Sequence, residues 1–331
     1  MRERALGLVA CVSLSGCGAT AAHVQEPSAR EASASQTSDT ADRADAPPVT
    51  SGKAFAASEP RGSAALGDGT YRILLDRRER EGEERRVESR GREVAESTFF
   101  EGGRRVQQGV EVTAVRFEGR CLTRRVNAVG HTSALSCQVE TLEDEAAGRE
   151  LVPSGTKLVL ERDRKRSAAK VTLDGRPASN EVRAAVDLVL GLSESTDSDD
   201  AVFGSDAPRR VGEKWSIDGG KLAQRLEQQL AATVARPPTG EVELVGATEV
   251  AAIPALHLRA RVGVTELTSK DGTSRFTTTV ERKLPLDLAE RVLWQSNVGE
   301  FQVKRPVPER PSVTLELKLM RTMEQTSLPI E

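Results

Sequence analysis

The chain has 331 residues, with 47 Lys and Arg against 50 Asp and Glu and a formal net charge of −3. Such a near-balance excludes a dedicated nucleic-acid binder, which would carry a basic patch or stripe. Only 7 Phe, 2 Trp and 1 Tyr are present, too few for the exposed aromatic platforms that sugar binders favour.

The first stretch, "LGLVACVSLSGC", is an apolar run between Arg4 and Cys17. It is well short of the roughly 20 residues that a membrane-spanning helix needs. Arg2 and Arg4, the apolar middle Ala5 to Leu14, and the small residues Ser15 and Gly16 have the order of an export signal. Leu14-Ser15-Gly16-Cys17 resembles the lipobox of bacterial lipoproteins. That resemblance implies cleavage between Gly16 and Cys17, diacylation of the Cys17 thiol, and a membrane attachment made by lipid alone. Each buried methylene of an acyl chain contributes about 0.8 kcal/mol, so two or three chains hold a protein on a bilayer without a span. In that family an Asp after the lipidated Cys retains the protein in the inner membrane. Gly18 stands there in this chain, so the expected location is the cell envelope at the outer membrane.

Residues 17–65 carry Ala, Ser, Thr, Asp and Pro with almost nothing to bury, as in "SASQTSDTADRADAPPVTSG". The expectation is a flexible tether with a root-mean-square reach of roughly 40 Å.

From residue 66 onward period-two alternation dominates. Strands are expected at 69–80, 84–99, 106–118, 120–128, 133–142, 156–164 and 168–174, with turn signals such as "EGGRR", "AVGHT" and "LDGRP" near their ends. "DRREREGEERRVESRGRE" alternates signs about Gly82, which reads as a solvated hairpin laced with cross-strand ion pairs. Cys11 leaves with the signal and Cys17 carries lipid, so Cys121 and Cys137 are the natural disulfide in an oxidising compartment. Their parities conflict, because Cys121 shares its face with Thr123 and Arg125 and Cys137 shares its face with Leu135 and Val139. A bulge near Gly130 would reconcile them.

Two helices follow. "SNEVRAAVDLVLGL" has a Ser179 or Asn180 cap and places Val182, Ala185, Val186, Val189 and Leu190 on one face. "DGGKLAQRLEQQLAAT" spaces Leu222, Leu226 and Leu230 four apart, with Asp218 as its cap. Between them "SESTDSDDAVFGSD" reads as a solvated acidic loop, 193–208, whose oxygens lack the spacing of an EF-hand calcium site. "APRRVGEKWSID" resembles the "VGDxW" stretches of some secreted and lipid-anchored bacterial proteins, and Trp215 in it reads as a core residue.

The last third alternates again, with Leu256, Leu258, Ala260, Val262 and Val264 on one face and His257, Arg259 and Arg261 on the other. Val313, Leu315, Leu317 and Leu319 repeat the pattern. The fold class expected is mainly β: an antiparallel, curved sheet or half-barrel with two amphipathic helices. One domain over 66–331 or two packed halves, 66–192 and 209–331, both fit.

No nucleophile elbow, phosphate loop, dinucleotide fingerprint or metal-ligand spacing occurs, so no catalytic residue, no metal and no cofactor is expected. A tethered curved sheet with helices on its concave side resembles the half-barrel lipoprotein carrier and receptor family. That resemblance implies an apolar concavity lined by Leu258, Val262, Phe276, Val280 and Trp294. The helices led by Val186 and Leu226 would be its lid, and a lipid or a lipidated protein its partner. The alternative is a structural or interaction domain with a filled core and no small-molecule ligand. Oligomeric state is not legible in the sequence.

Overall fold

The computed structural model describes residues 62–330, apart from 128–129, 163–168, 193–197, 231, 270–271 and 308–309. The expected signal, the lipidated Cys17 and most of the tether lie outside the described residues. In chain order the strands are β1 (Thr70–Tyr71), β2 (Glu84–Glu101), β3 (Arg104–Val126), β4 (Thr132–Asp144), β5 (Arg149–Glu150), β6 (Lys157–Glu161), β7 (Lys170–Leu173) and β8 (Arg176–Pro177). Helices α1 (Asn180–Val189) and α2 (Asp199–Phe203) follow, then β9 (Arg209–Arg210), β10 (Lys214–Ser216), α3 (Gly219–Leu230) and β11 (Thr233–Val234). The chain closes with β12 (Thr239–Val250), β13 (Ile253–Ser269), β14 (Gly272–Pro285), β15 (Trp294–Val307) and β16 (Arg310–Pro329).

The fold is mainly β, as expected: one open sheet of 14 strands in the order β10-β12-β13-β14-β15-β16-β2-β3-β4-β6-β7-β8, with β5 and β11 attached at the sides. Each half is a meander, and every ladder is antiparallel. The last strand, β16, runs back to pair with β2 from Val313↔Glu101 to Pro329↔Arg85, which makes a single sheet of the two meanders. Four long strands therefore stand at its centre, where both neighbours satisfy their backbone groups.

Alternation decides what faces inward. Leu256, Leu258, Ala260, Val262 and Val264 are 1–5% exposed, and a register shift between Val264 and Leu267 turns Leu267, not Glu266, into the core. One cluster joins this face to Trp215 and to Leu222 and Leu226 of α3; a second joins the β2–β7 half to α1. Burying a Leu or Val fully contributes about 1.5–3 kcal/mol, so these two clusters supply most of the drive to fold.

Helix α1 is capped by Ser179, whose side chain accepts the Val182 N–H, and it buries Val182, Ala185, Val186, Leu188 and Val189. It lies against the sheet at Gly91, where a Cβ would come within 2.5 Å of the Leu188 carbonyl oxygen. Helix α3 begins as expected at Asp218, which accepts the Lys221 N–H at 3.0 Å.

Four expectations are corrected. The two strands expected at 106–118 and 120–128 are, as far as Val126, one continuous strand, β3. Within 69–80 only Thr70 and Tyr71 pair in a sheet, and the rest is an extended strap with no ladder. The charged stretch around Gly82 is no solvated hairpin, because Arg77 and Arg85 are 5% and 2% exposed and β2 pairs with β3 and β16 instead. Part of the expected acidic loop is the short helix α2, which leaves one helix more than the sequence suggested.

The cysteines pair across β3 and β4, with Cα atoms 4.0 Å apart. Their parity conflict resolves otherwise than at Gly130. Register shifts fall at Glu118/Gly119, Thr123/Arg125 and Arg125/Val126, and Thr123, fully buried, faces the core beside Cys121. Leu122, the apolar residue between them, is 38% exposed on the other face.

Candidate functional site

The strap over 72–80 is where the two halves of the molecule meet. Ile73, Leu75 and Arg77 turn inward, and with no neighbouring strand the backbone amides need other acceptors. Asp200 supplies them, taking the Leu75 N–H at 2.7 Å and the Asp76 N–H at 3.2 Å. Asp76 answers in kind at the first turn of α2, accepting the Asp199 N–H at 2.8 Å and the Ser198 hydroxyl. Arg77 fastens the strap to the far half through the carbonyls of Asp287 (2.9 Å) and Pro285 (3.1 Å).

Beneath the strap Asp199 is completely buried and receives Arg225 of α3 at 2.9 Å and Arg282 of β14 at 3.4 Å. A second charged group lies beside it. Arg85 meets Glu83 at 2.6 Å and Glu290 at 3.5 Å. Arg291 holds Glu79 and donates to the Thr123 hydroxyl at 3.2 Å. At this second group is a cleft of about 110 Å³ with Arg85, Arg291 and His131 among its polar walls and Leu135, Leu190 and Leu192 among its apolar ones.

The environment sets the two strap carboxylates apart. Burial pushes Asp200 up to about 6, and the charges of Asp76 and Asp199 add to that against the two amides it accepts. Burial works against the charge of Asp76 as well, but His131, the Ser198 hydroxyl and the Asp199 amide outweigh it and hold Asp76 down at about 2. His131 is depressed by burial yet ends above its usual range because Asp76 and the other nearby carboxylates favour its charged form. Neither Asp76 nor Asp200 lines the cleft, so this split serves the strap and not an exposed acid–base pair.

A pH dependence follows from it. Between about pH 4 and 6 the folded chain keeps a proton on Asp200 that the unfolded chain has lost, so stability should rise on acidification through that window. Asp76 acts in the opposite sense lower down: its contribution is complete above its unfolded value of 3.8 and is lost as pH falls toward about 2. Chemical denaturation from pH 3 to 8 should show a maximum near the boundary of the two windows. Asp200→Asn should flatten the slope above it, and an unchanged slope in that variant would refute the assignment.

The residues expected to line a concavity divide. Leu258, Val262, Phe276 and Val280 come together on the inward face, 3–5% exposed, in one cluster with Leu222 and Leu226. Trp294 stands apart from them, in register with Lys283, whose ammonium lies 4.6 Å from the ring centroid. Its indole N–H donates to Glu324 at 2.8 Å. The helices led by Val186 and Leu226 do lie over apolar faces, α1 over one cluster and α3 over the other. Trp215 is a core residue, donating to the Phe203 carbonyl at 2.8 Å, with Arg209 over its ring. Of the acidic stretch, the Asp199 carboxylate is committed to two arginines and that of Asp200 to two backbone amides. Among the described residues no group of His, Cys, Asp and Glu is arranged to hold a metal.

Sequence reasoning missed the strap and the Asp199 cluster. The one available signal was the pair Asp199-Asp200 directly after Ser198, a helix start by composition.

No family model matches this chain, and no curated protein matches it. Among solved structures it is similar to Ail, the attachment invasion locus protein of Yersinia pestis, at 8% identity over 74% of this chain and 99% of that one, with a TM-score of 0.15. A LolA superfamily protein from Nitrosomonas europaea is 8% identical over 77% and 90%, with a TM-score of 0.16. The toluene transporter TodX of P. putida is 7% identical over 76% and 91%, with a TM-score of 0.14. Scores this low lend no weight to a shared fold or activity. What the chain itself defines is a class: an open antiparallel β-domain whose inward apolar face is closed by its own helices and strap.

Proposed function

We propose that the protein is a lipid-anchored component of the bacterial cell envelope, held at the outer membrane through Cys17. In this reading it is non-enzymatic, and its β-domain works as an interaction module with a filled core. The observation that carries this reading is the state of the inward face. Leu258, Val262, Phe276 and Val280, which a carrier would keep open to its cargo, are buried in one cluster with Leu222 and Leu226 of α3. The charged groups that could act chemically are spent on holding the strap and helices in place. The anchoring half of the proposal rests on the Leu14-to-Cys17 pattern alone.

One observation favours a second reading, a carrier of hydrophobic or lipidated cargo: the cleft at the strap has leucines on one wall and Arg85 and Arg291 on another, a combination suited to an acyl chain with an anionic head. Native mass spectrometry separates the two. The chain from residue 18 onward, secreted into an oxidising compartment and purified without detergent, should carry no mass beyond that of its polypeptide, less two hydrogen atoms per chain for the one disulfide. A co-purifying mass that organic solvent extracts as lipid would replace the first reading by the second.

A further inference from the structure

The cleft at the strap has two unlike walls. Leu135, Leu190 and Leu192 stand on one, and Arg85, Arg291 and Thr132 on another. Water suits such a space poorly, because a buried water needs two to four polar partners and leucines supply none. A molecule with a polar end and an apolar body satisfies both walls.

The polar wall is rich in donors. Each guanidinium carries five N–H groups. Arg85 donates to Glu83 and to the Ser327 carbonyl, and Arg291 to Glu79 and to the Thr123 hydroxyl, which leaves most of their N–H groups without a bonded acceptor. Two further carboxylate approaches, Glu290 to Arg85 at 3.5 Å and Glu83 to Arg291 at 3.8 Å, are longer than charge-assisted hydrogen bonds. These carboxylates do not compensate Arg85 in full. Burial, and after it the charge of Arg291, hold its proton affinity below the usual guanidinium range against Glu83 and Glu290. Thr132 adds a hydroxyl whose oxygen is buried and, among the described residues, has no hydrogen-bond partner. Acceptors are scarce by comparison. Glu79, the one carboxylate among the described lining residues, is taken by Arg291 and by the Thr132 N–H. The wall lacks an acceptor, and an anionic one suits two neighbouring guanidiniums best.

Size limits the body. A cavity of about 150 Å³ holds benzene, so a cleft of about 110 Å³ has room for about four or five carbons. We propose that the cleft binds a small organic carboxylate, its charged end against Arg85, Arg291 and the Thr132 hydroxyl and its short branched body against Leu135, Leu190 and Leu192. The proposal rests on the second reading's placing of a ligand here, and it narrows the occupant from an acyl chain to a short acid. It leaves the filled core of the first reading intact, because Leu222 and Leu226 of α3 are not among the walls.

The probe is 3-methylbutanoate, titrated into the chain from residue 18 onward, which lacks only the expected signal and the lipid-bearing Cys17. The indole N–H resonances of the two tryptophans report it, since Trp294 lines the cleft and Trp215 does not. The Trp294 signal should shift with a Kd of about 1 mM or tighter while that of Trp215 stays in place. Acetate, which lacks the apolar body, and 3-methylbutanamide, which lacks the charge, should each bind at least about tenfold more weakly. Thr132→Val keeps the shape of the side chain and deletes the hydroxyl. Because that hydroxyl has no partner in the free protein, the urea midpoint should not fall, whereas 3-methylbutanoate should bind about tenfold more weakly. A Trp294 signal that stays still at about 20 mM probe overturns the proposal. So does an amide that binds like the acid, or a Thr132→Val variant with the parental affinity. Native mass spectrometry decides the second reading separately. A weakly held acid dialyses away, so a bare mass leaves the short-acid site standing, and an extracted lipid beside a delipidated chain that ignores 3-methylbutanoate would uphold the second reading without it.

Discussion

Replacing Asp199 by alanine is expected to cost on the order of 3–5 kcal/mol of folding stability, the range for removing one member of a buried ion pair. The carboxylate is completely buried, and it is shared by two guanidiniums, Arg225 at 6% and Arg282 at 1% exposure. Both would remain in the interior after the substitution, short of the negative charge that offsets their desolvation. Burial already lowers the affinity of Arg282 for its proton, with Asp199 the first of the charges that oppose this. The change should appear in urea denaturation as a lower midpoint with an unchanged slope, because the surface exposed on unfolding is the same. Asp199→Asn should recover little, since an amide restores shape without charge. Replacing all three residues by leucine or methionine should recover most of the loss, as buried ion clusters exchanged for apolar side chains generally do. A cost under about 1 kcal/mol for Asp199→Ala would show that the cluster does not hold α2, α3 and β14 together.

The second large effect concerns the disulfide. Cys121 and Cys137 stand directly opposite in neighbouring strands, 2% and 0% exposed, with a sequence separation of 16. Closing a loop of that length removes conformational freedom from the unfolded chain worth about 3 kcal/mol. The double substitution Cys121→Ala with Cys137→Ala should therefore lower stability by about that amount and leave the β-sheet circular dichroism unchanged. Thiol attack needs access to sulfur, so a reductant without denaturant should leave the bridge intact for hours, and added urea should release it. Rapid reduction of the native protein would mean that the β3–β4 hairpin opens far more readily than its buried position implies.

Much of this molecule was legible one strand at a time. Alternation along Leu256 to Val264 identified an inward face, the helical spacing of Val182, Val186 and Val189 identified the buried side of α1, and Ser179 and Asp218 marked helix starts. The cysteine pairing followed from elimination. These signals are local, because side-chain direction repeats every two residues in a strand and every three to four in a helix.

What the tertiary structure alone decided concerns neighbours. Nothing in the alternation of β16 says that it lies beside β2, since any strand with one apolar face could pair there; the closure of two meanders into one sheet settles it. The strap alternates as a strand does at Ile73, Leu75 and Arg77, but it forms none, because its amides are taken by a carboxylate 125 residues away. Asp199 looks like part of a solvated acidic loop until Arg225 and Arg282, 26 and 83 residues distant, pair with it in the interior. Trp294 and Val280 share an apolar character that suggested a common wall, yet the register of β14 with β15 pairs Trp294 with Lys283 and Val280 with Asn297. Periodicity determines which way a side chain points. Which partner it meets there depends on contacts between segments far apart in the chain, and those exist only once the whole sheet has formed.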